Sequence, residues 1–138
     1  MKKISFIYLM LSMLCLASCV NENVYTVPTA GSLSSIIETE PAELIAGEQV
    51  QFNIEELAPP THGYYSRKVL WYINDEMLPS EECFQNGKVY KANTLLSADE
   101  SDIKVKIQII YYYPNDIQAT LIREHSFSLE NNNKLSKN

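Results

Sequence analysis

Three groups of side chains could do chemistry in this chain: its cysteines, its two histidines, and the tyrosines beside two turns. Cys19 stands in the most informative context. It closes Leu16-Ala17-Ser18-Cys19, behind Met1-Lys2-Lys3 and an apolar run over 4–14 interrupted only by Ser5 and Ser12. A positive start, an apolar core and a small-residue ending form a secretory signal, because small side chains give a peptidase access to the backbone. The run is too short for a membrane span, which needs about 20 apolar residues. Residues 1–18 are therefore expected to be cleaved, with Leu16, Ala17 and Ser18 as the signal peptidase recognition residues. An uncleaved anchor is the competing reading.

Leu16-Ala17-Ser18-Cys19 resembles the bacterial lipobox, Leu-[Ala/Ser]-[Gly/Ala/Ser]-Cys, at every position. The resemblance implies that the Cys19 thiol takes a diacylglyceryl group and that its new amino group is acylated. It thus predicts a membrane partner, held through Cys19. One acyl chain binds a membrane marginally and two hold stably, at about 0.8 kcal/mol per buried CH₂. Ordinary cleavage to a soluble secreted protein is the alternative.

The remaining thiols carry less. Cys15 leaves with the signal, so Cys83 stands alone once Cys19 is a thioether, and no internal disulfide framework can form. Were Cys19 unmodified, a Cys19–Cys83 bridge would become conceivable. A small apolar filler beside Phe84 is the plainest reading of Cys83. Nucleophilic catalysis needs a nucleophile with a base held against it, and neither His62 nor His125 lies in such a motif. Zinc needs three or four ligands in workable spacing. Asp99-Glu100-Ser101-Asp102 lacks the spacing and glycine of a calcium loop, and four glycines provide no phosphate loop. The residues therefore indicate a non-enzymatic protein without cofactor or metal.

The tyrosines are more suggestive. Tyr64-Tyr65 follows Pro59-Pro60-Thr61-His62-Gly63, and Tyr111-Tyr112-Tyr113 runs into Pro114-Asn115-Asp116. Tyrosines at loop ends stack on sugar rings or fill peptide pockets at low entropic cost. Tyr64, Tyr65, Tyr112, Tyr113 and His62 are the candidate ligand-binding residues. The bland alternative is that they cap the core and guard the loops.

What must position them is a β domain. Segments 33–39, 49–54, 68–73, 88–96, 102–113 and 119–129, with a short strand before Pro79, are rich in β-branched and aromatic residues. Val50, Phe52 and Ile54 alternate with polar residues, as do Ile103, Val105, Ile107 and Ile109. Turn signals separate the runs, at Ala46-Gly47, Asn74-Asp75-Glu76, Asn86-Gly87 and Pro114-Asn115-Asp116. No segment carries a convincing helical stripe. About seven short strands, with Trp71 in the third, predict an all-β, antiparallel immunoglobulin-like β-sandwich. Residues 33–130 form the expected domain, 19–32 a lipidated cysteine and flexible linker, and 131–138 a disordered tail. The linker over 20–32 can span at most about 45 Å when extended.

The pattern resembles Ig-like and PKD-like modules of bacterial surface proteins, with residues 40–52 similar to their first turn and second strand and 97–105 to the approach to their sixth. A cysteine pair is absent, and Ile103 stands where a tyrosine corner would be expected. The whole chain resembles small single-domain lipoproteins of Bacteroidota-type envelopes. The resemblance implies a cell-envelope location, lipid-anchored at the outer membrane, on either face.

Charge narrows the partners. Removing Lys2 and Lys3, the only charges before Cys19, takes the formal net charge from −6 to −8. Such a chain is a poor match for nucleic acid. The reading favoured by the residues is a tethered binding or adhesion module for a glycan or protein ligand. The alternatives are a structural or accessory subunit of an envelope complex and an acidic periplasmic inhibitor or immunity lipoprotein.

Overall fold

The computed structural model describes residues 27–131. Cys19, the Leu16-Ala17-Ser18 signal residues and most of the expected linker and tail lie outside the described residues.

Nine strands and no α-helix make up the described chain: β1 (Ser32–Leu33), β2 (Glu38–Glu40), β3 (Gln49–Ala58), β4 (Ser66–Ile73), β5 (Glu76–Met77), β6 (Cys83–Asn86), β7 (Val89–Leu95), β8 (Asp102–Tyr113) and β9 (Ile117–Ser128). One sheet runs β1-β3-β7-β6, with β2 also on β3; the other runs β5-β4-β8-β9. All strand pairs are antiparallel. Taking β1 and β2 as one interrupted first strand, this is the ABED and C′CFG arrangement of an immunoglobulin-like sandwich.

The count is nine rather than seven for two physical reasons. The expected strand over 33–39 is split, with β1 and β2 pairing different parts of β3. Cys83–Asn86 also forms a strand, because the Gly87-Lys88 turn folds it onto β7 as a hairpin. Gly87 has φ 60°, the left-handed region that a two-residue hairpin requires and glycine enters without strain. At the β4–β5 turn Asn74 and Asp75 both have positive φ, as do Asn115 and Asp116 between β8 and β9. Asn and Asp tolerate that region better than other side chains.

The period-two pattern places the core. Val50, Phe52 and Ile54 of β3 face Trp71 and Ile103, Val105, Ile107 and Ile109 of the opposite sheet, and all are buried. Phe52 and Phe127 meet across the interior with ring centroids 5.8 Å apart. Burying side chains of this size stabilises by about 1.5–3 kcal/mol each. Chain order begins before Leu33: Thr29 is hydrogen-bonded to Thr61 through its main chain and its hydroxyl.

Candidate functional site

The loop over 59–65, the Gly87-Lys88 turn and the Pro114-Asn115-Asp116 turn gather at one end of the sandwich. Between the first two lies a cleft of about 510 Å³, lined by Glu56, His62, Tyr64, Arg67, Lys88 and Tyr111 among others. A shallower depression of about 480 Å³ adjoins it, lined by Val27, Pro28, His62, Tyr113 and Asn115. His62 and Gly63 border both, so the histidine sits on the ridge between them.

The cleft floor comes from inward positions at the ends of strands. Arg67 is in phase with buried Trp71 on β4, so its side chain enters the space between the sheets. Its Nη1 donates to the Tyr90 hydroxyl at 2.7 Å, and its Nη2 donates to Gln85 Oε1. The Tyr90 hydroxyl then donates to Glu56 Oε2 at 3.0 Å. The guanidinium carbon lies 5.4 Å from the Tyr90 ring centroid. Four strands in two sheets thus supply one Arg67–Tyr90–Glu56 chain of hydrogen bonds with Gln85 beside it. Ionised partners at both ends make these bonds stronger than neutral ones.

Tyr64 forms the aromatic wall. It is 39% exposed and meets Tyr111 edge-on at 5.1 Å and Tyr113 at 6.3 Å. Burial pushes the Tyr90, Tyr111 and Tyr113 hydroxyls above the ordinary tyrosine range, Tyr90 furthest. They are hydroxyl donors at neutral pH, not bases. The arrangement offers an aromatic ring and three charged side chains, Glu56, Arg67 and Lys88, in one cleft above neutral tyrosine hydroxyls, which suits a polar ligand with an apolar face.

The sequence-chosen residues do not all converge. His62 and Tyr64 reach the cleft. Tyr113 is only 4% exposed, and its hydroxyl donates to the Thr61 carbonyl at 2.7 Å. It braces the loop from within. Tyr112 points to the outer face of its sheet, since it alternates with buried Tyr111 and Tyr113. Tyr65 is 68% exposed, and its main-chain N–H donates to the Tyr112 carbonyl at 2.9 Å. Sequence reasoning missed Glu56, Arg67, Gln85, Tyr90 and Tyr111 as members of the site. One signal was available: a charged residue in phase with Val69 and Trp71 must project inward.

The other candidate groups stand apart from chemistry. Cys83 packs against the core, and its Sγ contacts the Pro79 carbonyl at 3.5 Å. Burial, with the Glu82 charge adding to it, pushes the thiol up, which keeps it protonated. His125 is exposed on β9, 4.8 Å from the Phe127 ring. Among the described residues no group of three or more His, Cys, Asp and Glu side chains is placed to hold a metal ion.

Comparison with family models, curated proteins and solved structures finds no match to this chain. The functional reading therefore rests on the cleft.

Proposed function

We propose that this chain is a membrane-anchored lipoprotein whose sandwich is a non-enzymatic binding module, taking a glycan or protein ligand in the loop-end cleft. The observation that carries the reading is the pairing of the half-exposed Tyr64 ring with the Arg67–Tyr90–Glu56 hydrogen-bond chain in one cleft of about 510 Å³. An aromatic wall holds a sugar ring or an apolar side chain, and a few fixed polar groups orient it. Tyr64 and His62 are the contact residues of this reading; Tyr65 lines neither depression. Tyr113 and the Thr61 carbonyl hold the loop in shape. The lipobox-like ending supports anchorage at Cys19, and the linker supports a domain held near a membrane surface.

The test has two arms. The mature protein is screened against a glycan array and a peptide library, and the best ligand is titrated against the Tyr64→Ala and His62→Ala double variant. Binding at least tenfold weaker, with the β-sheet circular dichroism spectrum retained, is expected; unchanged affinity overturns the cleft as the site. Anchorage is read separately by incorporation of labelled fatty acid, which Cys19→Ala should abolish.

A further inference from the structure

The sandwich has an open side. In the first sheet, among the described residues, β6 is an edge strand paired with β7 alone. In the second, β5 pairs Tyr72 and Ile73 of β4, while residues 66–70 of β4 have β8 on one side and, among the described residues, no strand on the other. Successive residues of an antiparallel strand direct their main-chain groups to alternate sides. The Trp71 carbonyl accepts from the Leu78 N–H on the β5 side at 2.8 Å, and the Asn74 N–H donates to the Lys104 carbonyl on the β8 side at 2.9 Å. In this phase the N–H and C=O groups of Arg67 and Val69 project to the open side.

Behind that edge, between β4 and β6, lies a second cleft of about 200 Å³, lined by Val69, Trp71, Cys83, Phe84, Gln85 and Tyr90. Trp71 is 1% exposed, yet its buried indole N–H has no acceptor among the described residues. Buried polar groups without partners are rare in folded proteins. Phe84 is 44% exposed beside the cleft. Charge is uneven here too. β4 and β6 carry Arg67 and Lys68 and no carboxylate, and Lys91 is opposite Phe84 on β7. Glu81 and Glu82 precede β6, at its end away from the Gly87-Lys88 turn. The described chain holds sixteen Asp and Glu against seven Lys and Arg, so a carboxylate-free pair of strands stands out.

We propose that residues 66–70 of β4 accept an extended segment of a partner protein as an added strand, with acidic and apolar side chains alternating along it. Added strands gain affinity from main-chain hydrogen bonds and specificity from pockets for alternate side chains. The outward side chains of such a segment would lie beside Lys68, which favours carboxylates. The inward ones would enter the cleft beside Val69 and Trp71, which favours apolar groups, and would bring a main-chain carbonyl towards the indole. This edge adjoins the loop-end cleft and shares the Arg67, Gln85 and Tyr90 side chains with it. The added strand is held by main-chain groups of β4, so loss of ligand binding in the Tyr64→Ala and His62→Ala variant leaves this proposal standing.

The probe is the capped heptapeptide Ser-Glu-Val-Glu-Val-Glu-Ser, with Ser-Lys-Val-Lys-Val-Lys-Ser as the charge-reversed control, titrated into the mature protein. Amide hydrogen exchange reads the edge directly. The expected result is saturable binding of the acidic peptide, at least tenfold tighter than the basic one, with slowed exchange at the Arg67 and Val69 amides. Val69→Pro removes an edge N–H, which edge strands tolerate, and should weaken binding at least tenfold. Should that variant fail to fold, exchange on the unsubstituted protein still decides. Binding without protection of these two amides, equal binding of both peptides, or no binding overturns the proposal. So does protection that grows with protein concentration alone, which would assign the edge to a second copy of this chain.

Discussion

The Tyr113 hydroxyl lies 2.7 Å from the Thr61 carbonyl and donates to it. Fifty-two residues separate the two, and this bond joins the last inward position of β8 to the loop between β3 and β4. Thr61 also donates its N–H to the Thr29 carbonyl at 3.0 Å. The loop that carries His62 and Tyr64 is therefore fastened at one residue from two directions. Tyr113→Phe keeps the ring and removes the bond, leaving a carbonyl without its donor. The expected cost is about 1 kcal/mol, read by urea denaturation, with faster amide exchange over 61–65. An unchanged midpoint and unchanged exchange would contradict a bracing role.

Tyr90→Phe should cost more than Tyr113→Phe. Its hydroxyl is the shared member between Arg67 and Glu56, so its loss breaks two charge-assisted hydrogen bonds together. About 1–3 kcal/mol is expected. Glu56→Gln should restore part of the loss in the double variant, because a neutral amide is less costly than a half-buried carboxylate without its donor. A double-mutant cycle measures that coupling directly.

Alkaline pH should destabilise the fold through the same tyrosines. Burial raises the folded-state pKa of Tyr90, Tyr111 and Tyr113, whereas the unfolded chain ionises near the ordinary value of about 10. Below about pH 10 both states hold these protons and the stability is fully present. Above it the unfolded state loses protons first, so stability falls as pH rises towards the folded values. Urea midpoints measured from pH 8 to 11 should be level at first and then decline. Replacing Tyr113 by Phe should make the decline shallower.

Gly31→Ala should destabilise the sandwich although Gly31 is in no strand. A Cβ there would overlap the Ala58 carbonyl and crowd Pro59, both main-chain groups that cannot swing aside. A cost of about 1–3 kcal/mol is expected. Gly63→Ala meets open space and has only its φ of 102° against it. Thermal melts of the two variants separate close approach from backbone strain.

Much of the fold was legible from one-dimensional pattern, because a strand turns every second side chain to the same face. The alternation through Ile103, Val105, Ile107 and Ile109 defines an inward phase, and carrying that phase forward puts Tyr111 and Tyr113 inside and Tyr112 outside. Asn-Gly and Pro-Asn-Asp mark hairpins because those residues enter the left-handed region at low cost. Composition and order also located the two tyrosine-bearing loops. What alternation cannot read is which strands become neighbours. β6 was missed because four residues, Cys-Phe-Gln-Asn, show too little period, and only pairing with β7 makes them a strand. The site is less legible still. Glu56, Arg67, Gln85 and Tyr90 come from β3, β4, β6 and β7, and no local spacing relates them. Packing of two sheets brings these groups within hydrogen-bond reach and leaves one side of the sandwich open, since both depend on contacts between residues distant in the chain. Residue order alone specifies a period-two β chain with its turns in place. The tertiary structure decided which of its tyrosines are walls, which are braces and which face water.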